Sequence, residues 1–445
     1  MRVATPPSYD EFLQGASADR LLKVIRGGVA ENGSEYIHWD KLRHLDAPEG
    51  FSHEEWWFAT KWARQALLRP LPLVDPAGRA FQYSAPDLVQ RLLHYVDQRC
   101  SGEIATAEVV TADDQARQHY LVNSLMEEAI RSSQLEGATT SRRVAKDLLR
   151  SGREPTDRSE RMILNNYRAL QLMREMGDHL TPEIVFDLHR VVTEGTLDDP
   201  DAAGRLQRAD EERVAVFDRN EPNRVLHRPP PAEQLPERLR ALCDFANEPE
   251  DGERFVHPVV RAILLHFWLA YDHPFEDGNG RTARALFYWC MRTKGYWLVE
   301  YLSISRILAD APGKYAKAFL LTETDDRDTT YFIVYQLEVV RRAVAELHGY
   351  LNRKVKEIRD VESLLKAGAQ DFNHRQLALL GHALRTTGHR YSFREHAASH
   401  GVTPETARND LLPLVEKGLL ERRRDGRRHV FAAHPRLVER LKDGR

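Results

Sequence analysis

The sequence predicts a mainly α-helical protein: a helical core interrupted by one β-hairpin, a helical N-terminal region, and a small, separate C-terminal module. Three observations carry this reading. Apolar residues recur at three- and four-residue spacing over most of the chain, as in Leu121, Leu125, Met126 and Ile130. Alternation at spacing two is confined to short pieces near 214–227 and 419–432. Composition also shifts near the end: residues 372–445 hold 15 Arg and Lys against 8 Asp and Glu, an excess of +7, while the chain as a whole carries −3. The remainder must then carry about −10, which marks the terminus as a distinct basic module.

Taken in order, residues 1–105 mix aromatic clusters such as Trp56-Trp57 with the proline-bearing segment Pro70–Pro76, read as turns, and no function attaches to them. A helix is predicted from about Asp114 to Ser132. Thr181 is an N-cap and Pro182 the first helical position of a helix through Val192. Val214–Phe217 and Arg224–His227, with Asn220 and Asn223 between them, predict a β-hairpin. Pro229, Pro230 and Pro231 end it, because proline cannot donate to a ladder. Helices resume near Leu235 and run, with breaks, to Arg353. The predicted division is 1–105, a core of 106–353, a linker of 354–371 and the module 372–445.

A chain of 445 residues is too long for one core, and two or three domains are expected. The 42% hydrophobic and 29% charged fractions are those of a globular protein. Cys100, Cys243 and Cys290 lie far apart, without metal-ligand spacing, and fit a reducing compartment. The N-terminus lacks the apolar core of a signal peptide. The longest apolar run, Ala262–Tyr271, is about half of the roughly 20 residues a spanning helix needs. A cytoplasmic protein without a membrane partner is expected.

The informative segment is His273-Pro-Phe-Glu-Asp-Gly-Asn-Gly-Arg-Thr-Ala-Arg284, between an apolar helix starting near Pro258 and another predicted over Thr282–Met291. Gly278, Asn279 and Gly280 can take positive φ and turn successive N–H groups inward as an anion nest. The following helix N-terminus adds partial positive charge. Arg281 and Arg284 share a helix face and can clamp a polyphosphate. Asp277 offers a hard oxygen for Mg²⁺ held jointly with phosphates. His273 is the nearby side chain able to act as a neutral base at pH 7, and Phe275 anchors the loop in the core. A plain glycine-rich helix connection would not need eight defined positions together, and phosphoryl or nucleotidyl transfer is the chemistry they suggest.

These residues resemble, without departure, the Fic family signature His-x-Phe-x-(Asp/Glu)-Gly-Asn-Gly-Arg-x-x-Arg, and the resemblance covers roughly 110–350. It implies a protein adenylyltransferase that moves AMP from ATP to a hydroxyl of a target protein. His273 would be the base, with Asn279 assisting catalysis, and Asp277 would hold Mg²⁺. Gly278, Asn279 and Gly280 would cradle the α-phosphate, Arg281 the β-phosphate and Arg284 the γ-phosphate, with Thr282 and Tyr315 beside the nucleotide. The asparagine often found upstream of Tyr315 has no clear counterpart here. Ser132-Ser-Gln-Leu-Glu136-Gly137 looks like the family's inhibitory motif, in which Glu136 would occupy Arg284 and misplace the γ-phosphate. The same glutamate could position a water for AMP removal. The hairpin corresponds to the family's flap, where Val225, Leu226 and His227 would receive the target as an added strand. His189, His257 and His266 lie on apolar helical patterns and read as structural.

In the basic module, helices are predicted over Gln376–Leu384 and Phe393–Ser399, and a third, capped by Thr403-Pro404, runs to Lys417 before Gly418. A hairpin follows with an Asp425-Gly426 turn. This order looks like a winged helix, in which Arg422, Arg423, Arg424, Arg427 and Arg428 would meet the phosphates of duplex DNA. Winged helices also dock proteins, and a homodimer is a further candidate assembly. Two other functional readings stay open. One is a transferase using another nucleotide donor; the other is a DNA-binding regulator whose core only senses nucleotide.

Overall fold

The computed structural model describes the chain outside residues 1, 28–34, 102–113, 219, 220, 222, 253, 254, 368–370, 386–388, 426, 427, 444 and 445. It divides into two units, Met1–Leu347 and His348–Arg445. Among the described residues no helix is long and apolar enough to cross a membrane.

The first unit opens with helices α1 (Tyr9–Gly15), α2 (Ala18–Arg26), α3 (Trp39–Leu42) and α4 (His53–Gln65). Ser52 and Glu55 form a reciprocal capping box at the start of α4. Strands β1 (Arg69–Val74) and β2 (Ala80–Tyr83) then pair antiparallel. Here the sequence reading needs correction, because Pro70 and Pro72 belong to a strand and not to turns. β2 is bonded on its other side to the chain near 327–329, through Gln82 N to Arg327 O at 3.1 Å and Thr329 N to Gln82 O at 2.8 Å. β1 is therefore an edge strand, where proline removes no needed donor.

Helices α5 (Asp87–Cys100), α6 (Asp114–Leu135), α7 (Arg142–Ser151), α8 (Arg158–Glu175) and α9 (Pro182–Thr193) follow. Thr181 caps α9 as predicted, accepting from Ile184 N. The hairpin is shorter than predicted: β3 (Val216–Phe217) pairs with β4 (Val225–His227). Asn220, expected in its turn, lies outside the described residues. Helices α10 (Leu235–Asn247), α11 (Pro258–Asp272), α12 (Asn279–Thr293), α13 (Ile304–Asp310), α14 (Pro312–Thr324) and α15 (Thr330–Ala367), whose residues from His348 on are counted in the second unit, complete the series. The last is helical through 354–367, a stretch expected to be linker.

α11 and α12 form the centre. Nearly every residue of both is buried, including Arg261, His266, Arg281 and Arg284. A helix apolar all round must be covered on every side, and α8, α9 and α10 pack on this pair. The N-terminal region is continuous with the same core: Phe81 of β2 packs on Phe267 and Tyr271, with centroids at 5.6 and 4.9 Å.

The second unit contains α16 (His374–Arg385), β5 (Arg390–Tyr391), α17 (Phe393–His400), α18 (Pro404–Glu416), β6 (Leu420–Asp425), β7 (Arg428–Ala433) and α19 (Leu437–Asp443). The predicted three helices and hairpin are present, and β5 adds a third strand in the order β5-β7-β6. Leu380, Leu411, Leu414 and Phe431 form its core. Asp410 is a buried hub that accepts from Arg375 Nε at 2.7 Å, Asn373 Nδ2 at 2.7 Å and His396 Nε2 at 3.1 Å.

Candidate active site

The site is a loop between two buried helices. α11 ends at His273, whose backbone is left-handed at φ 45° and ψ 54°, with its N–H donated to Leu269 O. A non-glycine residue there costs about 1–2 kcal/mol, so neighbours must impose it. They do so carbonyl by carbonyl. His227 Nε2 donates to Tyr271 O at 2.6 Å. Arg213 Nη2 donates to Asp272 O at 2.8 Å and His273 O at 3.1 Å. Gln207 N donates to Pro274 O at 2.9 Å. Asn279 Nδ2 donates to Phe275 O at 2.8 Å, and His189 Nε2 to Asp277 O at 2.9 Å. The Asp272 carboxylate is clamped by Arg238 Nε at 2.9 Å and Trp268 Nε1 at 3.0 Å.

His273 Nδ1 faces Ala270 O at 3.4 Å, so that nitrogen carries the proton and Nε2 keeps its lone pair. Burial pushes this imidazole down to about 4, against the smaller opposing pull of that carbonyl. It is neutral at physiological pH. His227 is the opposite case. Its Nδ1 faces Glu323 Oε2 at 3.0 Å while Nε2 faces a carbonyl, so both nitrogens donate. Burial alone would lower its pKa, yet the Glu323 carboxylate raises it above the ordinary value.

The loop turns at Gly278, φ +83°, where a Cβ would lie 2.7 Å from Thr193 Cγ2. Two corrections follow. Helix α12 begins at Asn279, three residues earlier than predicted, so Asn279 and Gly280 are in its first turn and neither has the positive φ expected of them. The first-turn N–H groups still lack intrahelical partners and face outward as an anion site. The side chain of Asn279 is spent on the loop, since its Oδ1 also accepts from Phe275 N at 2.9 Å. Thr282 likewise donates its hydroxyl to Gly278 O at 2.9 Å. Phe275 is fully buried, stacked on His189 at 3.8 Å.

Arg281 and Arg284 are 0% and 1% exposed. Arg281 Nη1 donates to Val192 O at 3.0 Å, and Nη2 lies 3.3 Å from Asp277 Oδ1. Arg284 Nε donates to Ser132 Oγ at 2.9 Å, Nη2 to Ser132 O at 3.1 Å, and Nη2 lies 2.8 Å from Glu136 Oε1. Arg281 Nε and Nη2 and Arg284 Nη1 make no hydrogen bond. Burial lowers the Arg281 pKa despite Asp277; for Arg284, burial pulls down, but Glu136 with Tyr315 and Glu128 together raise it. Glu136 follows the end of α6 and rests against Gly280, where a Cβ would lie 2.1 Å from Glu136 Oε1. A side chain at 280 would displace that carboxylate from its present place.

Asp277 also faces Arg158, at 3.4 Å. Tyr315 OH meets His266 Nε2 at 2.8 Å, and burial pushes this histidine down to about 3. A cavity of about 290 Å³ opens in front of His273, walled by Phe217, Leu226, Tyr271, Tyr315 and Phe319, with Glu136 and Glu323 at its edges. Leu226 lines it and Val225 does not. The ring of His227 is turned inward, onto Tyr271 and Glu323. Sequence reasoning missed Arg213, Gln207 and Arg238, which reach the loop from distant positions, and Glu323, which holds His227; none carries a local signal. His189 and His266 are structural in these contacts, and His257 caps α11.

In the second unit Arg422, Arg423 and Arg424 are exposed. Arg422 is paired across the ladder with Phe431, so Arg422 and Arg424 share the face of that buried ring. Arg423 is on the other face, 2.7 Å from Glu421. Arg427 lies outside the described residues, as does the side chain of Arg428.

A buried helix pair, a left-handed histidine and two acceptor-poor arginines at a helix start thus come together at this loop. Residues 179–291 match the model of the Fic/DOC family. The chain is 34% identical over 114 residues to the protein adenylyltransferase Fic of Nematostella vectensis, a match covering 25% of this chain and 23% of that protein. It is 30% identical over 125 residues to the protein adenylyltransferase fic-1 of Caenorhabditis elegans, covering 28% and 22%. These matches span less than a quarter of the length of those relatives. A Fic family protein from Desulfovibrio desulfuricans G20 shares the fold, with TM-score 0.54 at 18% identity, covering 82% of this chain and 98% of that one.

Proposed function

We propose that this chain is a protein adenylyltransferase that moves AMP from ATP to a hydroxyl side chain of a target protein, and that Glu136 holds it in check. One observation carries the reading: two buried guanidinium groups with unbonded donors meet a helix N-terminus beside a neutral imidazole. Burying such donors without acceptors is costly, and a polyphosphate supplies the acceptors.

In this reading Arg281, Arg284 and the first turn of α12 bind the phosphates, and the cavity takes the nucleoside. His273 Nε2 accepts the target's hydroxyl proton as the oxygen bonds to the α-phosphorus. The bond from that phosphorus to the bridging oxygen breaks, and pyrophosphate leaves. The loop's contribution is placement and fixed charge. Asp277 fits Mg²⁺ as a half-exposed carboxylate beside the phosphate site. Among the described residues no three-ligand protein cage exists, so the ion would be shared with the phosphates. Bound there, Mg²⁺ neutralises phosphate charge. Glu136, on Arg284 and against Gly280, occupies volume and donors that the triphosphate needs.

The test is intact-mass spectrometry of the purified protein and of lysate proteins after incubation with Mg²⁺ and ATP, GTP, CTP or UTP in separate arms. Addition of an AMP mass in the ATP arm, absent from His273→Ala, is expected. A different nucleotide mass would reassign the donor. No adduct in any arm, even with Glu136→Gly, would favour a nucleotide-sensing regulator.

A further inference from the structure

One side chain holds both the left-handed histidine and the root of the flap. Arg213 lies just before β3, and Pro230 just after β4. Arg213 Nε donates to Pro230 O at 2.8 Å, which closes the hairpin at its base. Its Nη2 spans the carbonyls of Asp272 and His273 at 2.8 and 3.1 Å, and its Nη1 bonds the side chain of Gln207. Gln207 N in turn holds Pro274 O at 2.9 Å. Residues 272–274 are thus gripped from outside at three consecutive carbonyls, two of them by one nitrogen. No other neighbour bonds the carbonyls of both 272 and 273 in the described contacts.

This geometry matters because φ of +45° at His273 is not the backbone's own preference. Released from Arg213, the peptide of residue 273 can relax toward an ordinary conformation, and the imidazole then swings away from the cavity. Lysine could reach one of these acceptors but not fork between Pro230 and the loop.

We infer that Arg213 is a positioning residue for His273, one guanidinium that sets the direction of the base and the seat of the target-binding flap together. The inference rests on the proposed transferase reading, in which His273 is the base. It assigns Arg213 no contact with nucleotide, and this separates it from Arg281 and Arg284.

The experiment compares Arg213→Met and Arg213→Lys in the full chain carrying Glu136→Gly, so that transfer is measurable. Expected for Arg213→Met is a loss of about a hundredfold in kcat, the scale of a roughly 1 Å misplacement, while the Kd for ATP stays within about twofold. Arg213→Lys should recover part of the loss. The ring resonances of His273, followed by NMR, should shift and titrate nearer the ordinary histidine value of about 6.5 in Arg213→Met. Unchanged kcat with unchanged His273 resonances would overturn the inference. So would equal losses of kcat and ATP affinity in both variants, which mark a general collapse. If Arg213→Met does not fold, Arg213→Lys alone decides on the same two readouts. Should His273→Ala retain transfer, the base assignment fails, while the resonance shift still reports whether Arg213 places the ring.

Discussion

The two units handle arginine in opposite ways. In the first, Arg281 and Arg284 are buried and held by named acceptors, yet three of their nitrogens make no hydrogen bond. In the second, Arg422 and Arg424 are exposed on a strand. Burying a charge short of acceptors costs free energy, and an anion bound at the start of α12 would offset that cost. Exposing a charge costs almost nothing and by itself indicates no partner. The same residue type therefore carries an argument for ligand binding in one unit and only a question in the other.

The sharpest way to break the first half of this contrast is His273→Ala. If the buried arginines bind nucleotide while the imidazole does the proton transfer, transfer falls by at least about a hundredfold, with ATP affinity nearly unchanged. Incorporation of labelled AMP and equilibrium binding measure the two separately. Retention of most of the rate would sink the mechanism.

Next in size is Glu136→Gly. A charge-assisted pair such as Glu136–Arg284 contributes about 1.5–3 kcal/mol, so its removal should raise AMP incorporation roughly tenfold to a hundredfold. Arg284→Ala in the Glu136→Gly background should cancel the gain, because the freed guanidinium is the reason for it. No gain on any lysate protein would leave Glu136 as a plain helix end.

The pH profile sharpens the assignment of the base. Burial holds His273 at about 4, so its base form persists from neutral pH down to that value. The transfer rate should stay flat across about pH 6–8 and fall only as pH drops toward 4. An acid limb near the ordinary 6.5 would mean a solvated imidazole, or a different base.

The smallest expected effect concerns the exposed arginines. If the second unit binds duplex DNA, Arg422→Ala with Arg424→Ala should weaken binding and reduce the salt slope by about one unit per lost phosphate contact. Arg423→Ala, on the opposite face and paired with Glu421, should change little. Gel retardation of the full chain at low salt measures both. Absence of any retardation would turn this unit toward protein docking.

The site was legible where its physics is local. His273 to Arg284 fall within a dozen positions, and the residue types alone imply an anion loop with a base. The helices of the core were legible from periodicity. Proline in β1 misled, because an edge strand tolerates what an interior strand does not. Gly280 misled too: its lack of a side chain makes room for Glu136 and has no part in backbone reversal. Arg213, Gln207 and His227 could not be found as loop supports, since each bonds a backbone carbonyl, and a carbonyl has no residue type to pattern. Glu136 meets Arg284 at 2.8 Å from far along the chain, and only family resemblance anticipated that meeting.

Arg238 adds one more consequence. Its Nη2 donates to Asp272 Oδ1 at 2.5 Å and also to Val74 O at 2.7 Å, back in the N-terminal region. The foundation under the 273–284 loop therefore extends beyond the boundary of the family match. Portability is what suffers. Residues 179–291 grafted into another protein would bring His273, Arg281 and Arg284 and leave behind the strand on which Arg238 leans. In this chain the matched segment keeps that support only together with its N-terminal neighbour.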